Sequence, residues 1–127
     1  MAHLQIPETA KQFFLNGVDS IAEWEAILVL RERPDLDMDA GALARHLYIG
    51  EGETAAILQK LVDRGVVRKC DGTDRYRYEP ATAELSAVIT TCAELYREYL
   101  IPVTRIIHSE PKKRLQAFAD AFRIRKD

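Results

Sequence analysis

DAGALARHLYIGEGETAAILQKLVDRGVVRKCDGTDRYRYEP, residues 39–80, contains two helical runs, a glycine-marked turn and two short β-type runs. Ala40 to Tyr48 places Leu43, Ala44 and Leu47 on one helix face. The turn Ile49-Gly50-Glu51-Gly52 follows, and its two glycines accept backbone angles that other residues resist. Glu53 to Arg64 then carries Ile57, Leu58, Leu61 and Val62 at three- and four-residue steps, a second helix with one apolar face. Gly65 stands where such a helix stops. Val66–Cys70 and Arg75–Tyr78 flank Asp71-Gly72-Thr73-Asp74, and Asp-Gly between β-type runs is a strong hairpin signal.

A helix-turn-helix followed by a hairpin is a winged helix. The sequence therefore predicts a mainly α fold with a small two-stranded β-wing, extended by a long C-terminal helix. Residues 1–127 read as one domain. Residues 1–19 form an N-terminal arm whose helix, Pro7 to Asn16, ends at Gly17. Residues 20–80 form the winged helix, opened by the capping-box spacing of Ser20 and Glu23. Its first helix carries Ile21, Trp24, Ile27 and Leu28 and ends before Pro34; the acidic link 35–39 supplies N-caps for the second. Residues 81–108 form the long helix, which Pro102 should kink or split near Leu100. Residues 112–127 form a last helix and tail, with Leu115, Phe118, Ala119 and Phe122 on its apolar side.

The net charge of −2 excludes a strongly basic nucleic-acid protein, but the charge is uneven. Residues 1–50 carry four basic and eight acidic groups, residues 51–79 six of each, and residues 80–127 eight basic and six acidic. No apolar run is long enough to span a bilayer, and the first residues lack the pattern of a secretory signal. Cys70 and Cys92 lie far apart without a CxxC pattern, which fits a reducing cytoplasm.

Along the long helix, Leu85, Val88, Ile89, Cys92, Leu95, Tyr96 and Tyr99 recur at three- and four-residue steps, close to an a/d seam. Such a stripe has little to cover in so small a domain. It predicts a homodimer, with folding back onto the chain's own helices as the alternative.

The pattern LARHLYIGEGETAAILQKLVDRGVVRK and the wing DGTDRYRY resemble the bacterial winged-helix transcription regulators of the MarR and PadR type, over about residues 20–108. The resemblance implies that the helix matching Glu53–Arg64 enters a DNA major groove and that the wing arginine, Arg75 or Arg77, reaches phosphates or the minor groove. On that view Gln59 reads adenine, Lys60, Arg64, Arg68, Arg75 and Arg77 meet phosphates, and Thr54 bonds a phosphate at the helix N-terminus. Glu51 and Glu53 oppose this at the same helix end, although acids there also complement the helix dipole. Ala55 and Ala56 offer only methyl contacts. The expected partner is double-stranded DNA; the alternative is a protein-interaction module, which the acidic first half and the apolar stripes would suit.

No other chemistry stands out. His3, His46 and His108 are isolated, no Cys/His cluster has metal spacing, and there is no phosphate-cradling glycine loop, GxSxG or HExxH. An enzyme, a cofactor and a metal are not expected. Tyr76, Tyr78, Tyr96 and Tyr99 read as packing residues, with a ligand pocket as the lesser alternative.

Overall fold

The computed structural model describes residues 7–109 and 113–121. The fold is mainly α with one antiparallel two-stranded sheet. In chain order the elements are α1 (Glu8–Gln12), continued by a π-helical turn (Phe13–Gly17), then α2 (Ile21–Glu32), α3 (Ala40–Leu47), α4 (Glu51–Asp63), β1 (Val67–Lys69), β2 (Tyr76–Tyr78), α5 (Ala83–Glu98), α6 (Leu100–His108) and α7 (Arg114–Ala121). The chain divides into two compact units, residues 22–86, and residues 1–21 with 87–127.

Residues 22–86 have the element order of a winged helix. Trp24, Ala26, Ile27 and Leu30 of α2, Leu43 and Ala44 of α3, and Ile57, Leu58 and Leu61 of α4 are buried, as are Met38, Val66 and Val67. These are the apolar faces that the three- and four-residue spacing selects. Asp39 starts α3, its carboxylate accepting the Ala42 N–H at 2.8 Å. The end of α4 is a Schellman turn. Gly65 sits at φ 76°, its N–H reaches the Val62 carbonyl, and the Val66 N–H reaches that of Leu61.

The turn between α3 and α4 differs from the sequence expectation. Gly50 is an extended N-cap at φ −70°, and Gly52 lies inside α4. The left-handed residue is Tyr48, at φ 59° and ψ 41°, with its N–H on the Ala44 carbonyl. Helix α3 therefore closes two residues before the first glycine, and a tyrosine adopts the strained conformation.

Of the described residues, 7–21, 87–109 and 113–121 belong to the second unit. Ala10, Phe14, Val18, Ile89, Cys92, Val103, Ile106 and Ile107 are buried. A Cβ added at Gly17 would lie 2.7 Å from the Phe13 ring, so glycine admits that ring against the backbone. The long helix breaks at Tyr99 (φ −124°, ψ 52°), just before Leu100, and Pro102, which has no N–H to offer the preceding turn, falls in the first turn of α6. Helix α7 presents a different face from the one its apolar residues suggested. Leu115 and Ala119 are exposed, Phe118 and Arg114 are buried, and Phe122 lies outside the described residues. The reason is Arg114, whose guanidinium donates to the backbone carbonyls of Val18, Asp19, Ile107 and Ser109. Four carbonyls satisfy donors that burial would otherwise leave costly.

The apolar stripe of α5 is also divided. Ile89 and Cys92 are fully buried within the chain, with Cys92 Sγ 3.8 Å from the Ala10 carbonyl oxygen, and are not left for a partner. Burial pushes the Cys92 thiol up to about 12. Leu85, Val88, Leu95, Tyr96 and Tyr99 remain partly exposed. Among the described residues no helix is long and apolar enough to cross a membrane.

Candidate nucleic-acid interface

The site expected from the sequence is the outward side of α4 together with the wing. β1 and β2 pair Val67 with Tyr78, Arg68 with Arg77 and Lys69 with Tyr76. Side chains alternate across a sheet, so Arg68 and Arg77 share one face while Val67, Lys69 and the two tyrosines lie on the other. Like charges directly opposite each other repel, and here each has an acid beside it. Arg68 Nε donates to Glu79 at 3.2 Å, and Arg77 Nε donates to Asp37 at 2.8 Å.

Asp37 reaches this face because the acidic link behaves as a third strand. Met38 and Tyr76 exchange backbone hydrogen bonds of 2.8 and 2.7 Å. With Met38 buried, alternation turns Asp37 and Asp39 to the opposite side, in register with Arg77 and Arg75. Arg75 accordingly donates to the Asp37 backbone carbonyl at 2.7 Å and lies 3.9 Å from the Asp39 carboxylate. Partial desolvation pushes the Asp37 carboxyl up. Hydrogen bonds from Arg77 and Cys70, with the charges of Arg77 and Arg75, outweigh that and hold it below the usual carboxylate range. Lys69 completes the set of wing cations, 3.8 Å from Asp74.

Helix α4 contributes less than the sequence suggested. Gln59 and Lys60 are exposed, and the Gln59 amide donates to Asp63 at 3.0 Å. Thr54 is not a surface phosphate ligand. It is fully buried, and its hydroxyl donates to the Gly50 carbonyl at 2.8 Å, one turn back along α4. Arg64 is not a free cation either. Its guanidinium donates at 3.0 Å to Glu23, a carboxylate only 1% exposed on α2. The remaining outward residues of α4 are Glu51, Gly52, Glu53, Ala55, Ala56 and Asp63. Tyr48, 93% exposed, stands beside this helix end, bordering a shallow groove lined by Gly41, Ala44, Arg45, Ile49 and Glu51.

The structure thus brings Arg68, Arg75 and Arg77 together on the wing and removes Thr54 and Arg64 from the set. Sequence reasoning missed Asp37 and Glu79 as their partners. The signal was present in Asp37-Met38-Asp39, whose polar–apolar–polar alternation is that of a short strand. Among the described residues no three His, Cys, Asp or Glu side chains form a metal-holding group. No family model, no curated protein and no solved structure matches this chain.

Proposed function

We propose that this chain is a DNA-binding transcription regulator of the winged-helix type, related in kind to the bacterial MarR and PadR regulators and working in the cytoplasm. The observation that carries the reading is the helix-turn-helix α3–α4 followed at once by a hairpin that carries Arg68, Arg75 and Arg77 on one face and Lys69 on the other. The wing cations supply most of the affinity by meeting phosphates, while Gln59 and Lys60 on α4 supply a modest base readout. Such a protein discriminates weakly among sequences unless a second copy adds a second half-site. The partly exposed residues Leu85, Val88, Leu95, Tyr96 and Tyr99, continued by exposed Leu100 and Ile101, support a homodimer.

A second reading, a protein-docking module, is favoured by one feature. The outward face of α4 carries Glu51, Glu53 and Asp63 against a single Lys60, beside exposed Tyr48. Tyrosine is enriched among the anchors of protein interfaces, and acids repel phosphate.

Fluorescence anisotropy with duplex DNA across a salt series separates the two. A regulator binds DNA from upstream of its own gene ~10³-fold more tightly than random duplex, and Arg75→Ala with Arg77→Ala lowers the affinity and makes the salt slope about half as steep. Absence of binding to any duplex leaves the docking reading, in which the same double variant keeps its protein partner.

A further inference from the structure

The wing arginines spend on acidic residues the same donors that a phosphate would use. Arg77 presents Nε to Asp37, and Arg75 presents its guanidinium to the carbonyl of the same residue and the carboxylate of Asp39. A guanidinium that bonds a carboxylate in this way bonds a phosphodiester with the same donors. The arrangement is fixed from the backbone upward. The Met38–Tyr76 bridge sets the register, and alternation puts both acids on the arginine side. At the same time the pairs lie at the surface, with the Asp37 and Arg77 side chains about a third exposed, and exposed ion pairs open readily.

We propose that Asp37 is a resident phosphate surrogate: its carboxylate fills a phosphodiester subsite on the Arg77 guanidinium, within the field of the neighbouring Arg75, and must be displaced when DNA binds. The inference rests on the DNA-binding reading and deepens it. Asp37 sets how many phosphates the wing neutralises, so it tunes affinity without contacting a base. Neighbouring Asp39 has a second duty as the N-cap of α3, whereas Asp37 has no such role. Asp35, in the same link, bonds neither arginine and serves as the control for loss of a negative charge alone.

The test measures binding of wild type, Asp37→Asn and Asp35→Asn to a fluorescein-labelled mixed-sequence duplex of about 25 base pairs, from low to moderate salt. The expected result for Asp37→Asn is binding ~3–10-fold tighter at low salt, with a log–log salt slope steeper by about one, because one more phosphate is neutralised. Asp35→Asn should follow wild type. Equal gains in the two variants overturn the inference, since net charge alone then explains them. Wild-type binding that Asp37→Asn leaves unchanged also overturns it, while the DNA-binding reading stands. No binding by wild type or by Asp37→Asn overturns both, whereas binding gained only in Asp37→Asn supports both. Should Asp37→Asn melt early, Asp39→Asn keeps the α3 cap, because asparagine caps as well as aspartate, and removes the second acid from Arg75 with the same expected direction.

Discussion

Tyr48 is the residue least explained by folding. Its backbone is the one non-glycine left-handed conformation among the described residues, and its ring packs on almost nothing. Left-handed backbone costs an L-residue about 1–2 kcal/mol, and glycine avoids most of it while adding some freedom to the unfolded chain. Tyr48→Gly should therefore stabilise the chain by about 0.5–1 kcal/mol, seen as a higher urea midpoint at unchanged slope. A lower midpoint would mean that the ring supports the fold after all. Cys92 has the opposite character. Its thiol, ordinarily ionising near 9.0, is held protonated to about 12 by burial. Between those values the unfolded chain binds fewer protons than the folded one. The stability that Cys92 contributes is present in full below about pH 9 and is lost as pH rises toward 12. Urea midpoints from pH 8 to 11 should fall more steeply for wild type than for Cys92→Ala; parallel curves would show that the thiol is not shielded.

At the scale of elements, the periodic residues were the readable ones. Leu43, Ile57, Leu58 and Leu61 mark α3 and α4 by spacing alone, Gly65 marks the end of α4, and Asp71-Gly72 marks the hairpin. What periodicity could not give was the pairing of charges far apart in sequence. Arg64 reads as a surface cation next to the wing, yet it lies against Glu23 on α2, 41 residues away. Leu115 reads as core, yet buried Arg114 sets the orientation of α7 by its four carbonyls. In both cases a long-range polar contact overrides a local pattern. Arg64→Ala should thus destabilise by about 2 kcal/mol, less than for a fully buried pair because the arginine is partly solvated. Thermal melting measures the loss, and duplex affinity measured well below the melt should change little. A variant that melts like wild type but binds DNA poorly would restore Arg64 to the phosphate set.

For the whole molecule, charge and oligomeric state are linked. A chain of net charge −2 has no overall field to draw in DNA, so in the proposed DNA-binding role any affinity has to come from local cations. One winged helix offers four on the wing, Arg68, Lys69, Arg75 and Arg77. Each phosphate neutralised contributes about −0.9 to the log–log salt slope, so one copy gives a limit of about −3.6 and a twofold pair about −7. Ile101, exposed at the start of α6, extends the partly exposed stripe and can be changed without opening the core. Ile101→Glu should halve the salt slope and convert a dimer to a monomer in sedimentation at micromolar concentration. A wild-type chain that sediments as a monomer removes the dimer and leaves the shallower slope as the expectation. A slope near −7 from such a monomer would require cations beyond the wing, and α4, with Lys60 as its only outward cation among three acids, does not supply them.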